Sequence, residues 1–135
     1  MHNSETKIRV RYGDTDRMGY CYYGNYAAYF EVARTEFMRE LGISYKDIED
    51  SGILMPVINL YVEYKKPALY DEELTVRTYI KELPVTRITF FHEVYNEQNT
   101  FICKGETTLA FINTALNKPV KAPEELVRKL ERILH

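Results

Sequence analysis

The chain is 135 residues long, 45% hydrophobic and 28% charged, with a formal net charge of −2 and its charges interspersed, which disfavours a disordered or fibrous class and makes the attraction for a nucleic acid weak, so no nucleic-acid partner is expected. The length suits one domain, residues 1–135, and neither a signal peptide at Met1–Arg11 nor the roughly 20 apolar residues of a membrane span is present, so a cytoplasmic protein with no membrane insertion is expected. Cys21 and Cys103 are too few for a disulfide framework and lack the spacing of a zinc or redox pair, so both are expected to be reduced thiols.

Alternation from Thr6 to Tyr12, with Ile8, Val10 and Tyr12 on one face, predicts a first strand. Gly13 to Gly24 lacks periodicity and reads as an ordered loop. From Asn25 to Leu41, Tyr26, Phe30, Ala33, Phe37 and Leu41 form one stripe at helical spacing, with Asn25 as a candidate cap and Gly42 as a stop. A short helical turn is expected at Tyr45 to Asp50. Alternation then returns three times, at Ile58 to Tyr64, Leu74 to Ile80 and Ile88 to Val94, and Phe101 to Asn113 is rich in strand formers. Pro123, Glu124 and Glu125 open a closing helix carrying Leu126, Leu130, Ile133 and Leu134.

No helix separates the later strands, so they should pair antiparallel. The expected class is α+β: a five-stranded antiparallel sheet on one long helix, with a short C-terminal helix. An open sheet edge is a liability that a second copy could cover, which predicts a homo-oligomer.

The loop reads Tyr12-Gly-Asp14-Thr-Asp16-Arg-Met-Gly19-Tyr-Cys-Tyr-Tyr23-Gly24-Asn25-Tyr26. From residue types alone, Asp14 and Asp16 are best explained as turn caps. A calcium loop fails, because Met18 stands where an oxygen ligand belongs and Asn25 where the bidentate Glu is required. No metal is expected there.

The spacing of Asp14, Asp16 and Gly19, followed by Asn25 and Tyr26, resembles the 4-hydroxybenzoyl-CoA thioesterase family of hotdog-fold acyl-CoA thioesterases, including the bacterial type linked with the Tol-Pal system. Glu31-Val-Ala-Arg34 on the helix and Val62-Glu-Tyr64-Lys65-Lys66-Pro67 extend the resemblance over nearly the whole chain. The resemblance implies a hotdog fold, a homodimer or homotetramer, an acyl-CoA or acyl carrier protein thioester as substrate, and no cofactor. It makes Asp16 the catalytic carboxylate, as nucleophile or general base, and leaves Asp14 for structural capping. Backbone N–H groups near Tyr23 and Gly24 would hold the carbonyl oxygen at the helix start, where free donors and positive partial charge meet. Tyr12 is either a site-orienting residue or a plain strand residue.

Gly19, Asn25 and Tyr26 are expected beside the substrate, and Lys65, Lys66, Lys81 and Arg87 are candidate partners for CoA phosphates. The Tol-Pal-linked relatives have His where this chain has Tyr23, so no acid/base role is transferred to that side chain. His92 alternates with Ile88, Phe90 and Val94 and reads as a core or interface histidine, whereas His2 and His135 stand at the termini. Cys21 reads as packing, and Glu31 and Glu36 as a solvated or ion-paired helix face, with both kept as reserve carboxylates because another hotdog branch uses a helix Glu for catalysis. The alternative function is a non-catalytic acyl-CoA-binding module on the same fold.

Overall fold

The computed structural model describes residues 3–134, so His2 and His135 lie outside the described residues. In chain order the elements are β1 (Ser4–Arg9), α1 (Asn25–Glu40), α2 (Tyr45–Asp50), β2 (Ile53–Leu54), β3 (Val57–Tyr64), β4 (Glu73–Tyr79), β5 (Arg87–Tyr95), β6 (Phe101–Ala110), β7 (Ile112–Asn113), β8 (Lys118–Pro119) and α3 (Glu124–Leu134). The five long strands form an antiparallel sheet in the order β1-β4-β5-β6-β3, and β2, β7 and β8 form a small second sheet that the alternation pattern did not reveal.

The inner sheet face packs on α1, as the apolar stripe predicts. Tyr26, Tyr29, Phe30 and Ala33 cluster with Val10, Leu74, Val76, Val94, Ile102 and Cys103. One helical half further on, Phe37 and Met38 pack with Ile80, Ile88, Phe90 and Leu109, and α3 closes this end with Leu126 and Leu130. The outer face is polar for a cross-strand reason: Glu63, Lys104, Glu93, Arg77 and Glu5 stand directly opposite one another along one row, alternating in sign across all five strands. Such opposed pairs stabilise a sheet face that meets water.

Two expectations are corrected here. The first strand ends at Arg9, because the Arg11 N–H is taken by the Asp14 carboxylate and the chain turns away. Tyr12 therefore leaves the sheet for a short 3-10 turn, Tyr12–Asp14, and is 78% exposed. On β3, Ile58, Leu60 and Tyr64 stay exposed although their alternation is that of a core face, because β3 is an edge strand; only Val62 packs against the core.

His92 is buried as the core reading requires. Its ring stacks on Phe30 at 4.4 Å, with Nδ1 3.0 Å from Thr78 Oγ1 and Nε2 3.4 Å from Thr107 Oγ1. Burial, helped by the nearby Arg34 charge, pushes its pKa down to about 3, so the folded ring is neutral. The unfolded chain takes up this proton first, near pH 6.5, and stability must fall as pH drops from there towards 3. Urea titrations should show the wild type losing about 1.5 kcal/mol more than His92→Gln between pH 6.5 and pH 5.

Candidate active site

The loop between β1 and α1 is organised by Asp14, which is 5% exposed. Its carboxylate accepts from the Arg11 N–H (3.0 Å), the Arg11 guanidinium (3.2 Å) and the Tyr29 hydroxyl (2.9 Å). Burial raises the Asp14 pKa, but these donors outweigh it and hold the carboxyl below its ordinary value. The Asp14 carbonyl is used as well, accepting from Tyr22 N–H at 2.8 Å and Asn25 Nδ2 at 2.7 Å.

Beyond it, Asp16-Arg17-Met18-Gly19 forms a tight turn closed by the Gly19 N–H on the Asp16 carbonyl (3.0 Å). Gly19 has φ +81°, a left-handed conformation that disfavours a side chain. Asp16 Oδ1 accepts the Met18 N–H at 2.8 Å, so its own turn orients the carboxylate. Its other oxygen has no partner among the described residues, and the residue is exposed. The returning arm is anchored by Cys21 N–H on the Ala68 carbonyl, which brings the turn beside Lys65, Lys66 and Pro67.

The helix starts differently from expectation. Gly24 is the cap residue of α1 and Asn25 its first helical residue; the Asn25 amide makes no cap and is spent on Asp14 instead. The N–H groups of Tyr23 and Gly24 have no partner among the described residues. A Cβ on Gly24 would stand 2.7 Å from the Tyr22 ring, so a side chain there would displace that ring.

Asp16, Tyr23, Tyr26, Lys65 and Lys66 line one groove, together with Tyr20, Cys21, Tyr64 and Pro67. In the sequence Tyr64 stands in a strand and in the Val62–Pro67 segment of the resemblance, with no site role assigned to it. Its hydroxyl donates to the Tyr23 carbonyl at 3.2 Å, and its ring meets Tyr26 and Tyr23 at 5.6 and 6.3 Å between centroids. Its place at the end of β3, just before Lys65-Lys66, is the one signal that could have marked it. Cys21 Sγ donates to the Tyr29 hydroxyl at 3.4 Å, and burial pushes the thiol pKa up, which leaves a packing thiol and no thiolate nucleophile.

Other candidates stand apart. Tyr12 meets Tyr70 edge-on outside the groove. Arg87 opens β5 and lines, with Lys81, Asn59 and Thr89, a separate depression on the outer sheet face; within one chain it does not join Lys65 and Lys66. Lys65 reaches the groove but also pairs with Glu63 at 3.1 Å. Glu31 and Glu36 pair with Arg34 and Arg39 along α1, as the helix-face reading expects. Among the described residues no cluster of His, Cys, Asp or Glu could hold a metal ion.

Residues 10–130 match the family described as the thioesterase-like superfamily. The acyl-CoA thioester hydrolase YbgC of Escherichia coli O157:H7 is 30% identical over 125 residues, covering 93% of each chain. The acyl-CoA thioesterase YbgC of Haemophilus influenzae is 31% identical over 121 residues, 88% of each. Among solved structures, a DHNA-CoA thioesterase from Staphylococcus aureus superposes with a TM-score of 0.93 at 36% identity, covering 98% of this chain and 91% of that one.

The two aspartates should separate cleanly in stability. Asp14→Ala strands a buried set of donors and is expected to cost about 3 kcal/mol in urea unfolding, whereas the exposed Asp16→Asn should stay within about 0.5 kcal/mol of wild type.

Proposed function

The chain belongs to the thioesterase-like superfamily, and from that membership we propose that it hydrolyses an acyl-CoA thioester to a free acid and a thiol in the groove between the Asp16 turn and the start of α1. One observation carries the reading: Asp16, with a free carboxylate oxygen, and Tyr23, whose N–H is unpaired like that of the adjoining Gly24, belong to the same short loop and line the same groove.

The thioester carbonyl oxygen would rest against the N–H groups of Tyr23 and Gly24, where the α1 dipole favours the negative charge that develops on it. The free Asp16 oxygen then has two routes. As a nucleophile it forms a bond to the carbonyl carbon while the C–S bond breaks; the thiolate leaves and is protonated from solvent, and water later cleaves the mixed anhydride. As a general base it takes a proton from a water that attacks instead. Gly19 keeps the turn narrow, and Tyr26 and Tyr64 supply an apolar wall. Lys66, with Lys65, supports phosphate binding at the mouth.

A homodimer or homotetramer is part of this proposal. Val57, Ile58 and Leu60 are exposed along the open β3 edge, and a second copy continuing the sheet would satisfy its backbone groups and cover these side chains. The two buried thiols suit a reducing compartment and support a cytoplasmic location.

Free-thiol release from aromatic, short and long acyl-CoAs tests the reading. Wild type should turn over at least one class, and Asp16→Asn should lower kcat by about 100-fold or more with its fold intact. Full activity in Asp16→Asn would remove Asp16 from the chemistry, and a wild type that binds CoA esters without turnover would leave a non-catalytic acyl-CoA-binding module.

A further inference from the structure

A buried hydrogen-bond chain runs behind the groove and has no part in the chemistry above. Cys21 Sγ donates to Tyr29 Oη (3.4 Å), and Tyr29 Oη donates to Asp14 Oδ2 (2.9 Å). Asp14 in turn uses its carbonyl to hold Tyr22 N–H and Asn25 Nδ2. Tyr29 lies on the first turns of α1, 6% exposed, with its ring edge-on to Tyr26 at 5.7 Å. Packing therefore fixes the ring, and the ring fixes where the Asp14 carboxylate can sit.

We propose that Tyr29 is a positioning residue for the thioesterase reaction: acting through Asp14, its hydroxyl sets the Tyr22–Asn25 segment so that the N–H groups of Tyr23 and Gly24 stay unpaired and aimed at the groove. The inference rests on the function proposed above. It follows from how the donors of this segment are divided. Tyr22 N–H is consumed by the Asp14 carbonyl, and Asn25 N–H by the Tyr22 carbonyl at 2.9 Å, while the two N–H groups between them are left over. Two unpaired donors flanked by two committed ones are stable only while the residue holding the flanks is itself held. Arg11 holds the carboxylate from the loop side only, through its N–H and through a side chain that is 80% exposed and exchanges with water, whereas Tyr29 ties it to the core of α1.

Tyr29→Phe tests this by removing only the hydroxyl and keeping the ring. The expected result is a kcat lower by about 10- to 100-fold with KM changed by less than about threefold, since misplaced donors weaken the transition state more than the ground state. Asn25→Ala removes the second strut and should also lower kcat. The double variant should fall short of the product of the single effects, because both act through Asp14. Amide hydrogen exchange supplies a readout that needs no substrate: in Tyr29→Phe the Tyr22 and Asn25 amides should exchange about 10-fold faster, while those of β4 and β5 keep wild-type rates.

A Tyr29→Phe protein with unchanged Tyr22 and Asn25 exchange would overturn the inference, as would one that loses only urea stability and keeps kcat within about twofold. A wild type without thioester turnover would sink the proposed function instead, and the exchange experiment would still decide whether Tyr29 holds the segment.

Discussion

The buried Asp14 carboxylate is the constraint on which the active loop depends. A charge in the interior is tolerated only when donors surround it, and here the donors come from two residues: Arg11, just past the first strand, with its N–H and guanidinium, and Tyr29 in the body of α1. Meeting that requirement draws the strand end, the turn and the helix together. The strand stops at Arg9, the chain reverses through Tyr12–Asp14, and the start of α1 is tied to the Asp14 carbonyl. Asp16, two residues on, inherits its place from this clamp while its own side chain stays in solvent.

The two aspartates thus divide between them what a single group could not do. A carboxylate saturated by donors and depressed in pKa is a poor nucleophile and a poor base, and Asp14 is such a group. A carboxylate with one oxygen pinned by its own turn and the other open keeps reactivity and orientation together, and Asp16 is arranged in that way. The Tyr26 and Tyr29 hydroxyls remain neutral, because burial pushes both far above their ordinary pKa. Tyr29 donates its hydroxyl to Asp14, Tyr26 offers ring surface to the groove, and neither adds charge there.

The sheet shows a comparable division between its faces. Inward residues alternate into two aromatic and aliphatic clusters along α1, and outward residues form the alternating charge row from Glu63 to Glu5. His92 belongs to the inward set, satisfied by two threonine hydroxyls and stacked on Phe30. Its burial makes it a source of acid sensitivity in the fold and leaves it without a role at the groove.

Much of this was legible in the chain itself, because hydrophobic periodicity reports on burial directly. The stripe from Tyr26 to Phe37, the alternation of β4 and β5, the closing amphipathic helix and the core place of His92 follow from spacing alone, and the Asp14-x-Asp16-x-x-Gly19 motif before a helix singled out the loop proposed as the site. Periodicity is silent, however, about which strand becomes an edge, so Ile58 and Leu60 were indistinguishable from core residues until the β1-β4-β5-β6-β3 order left β3 outermost. It is equally silent about long-range contacts. Tyr64 enters the groove and Asn25 turns from helix cap to strut because partners 41 and 11 positions apart in the chain are brought together, and Arg87 stays out because the fold does not bring it to Lys65 and Lys66. Local pattern determined the elements and named the carboxylates; only the tertiary structure decided which donors each carboxylate meets, because a buried charge selects its partners by proximity in space and not by distance along the chain.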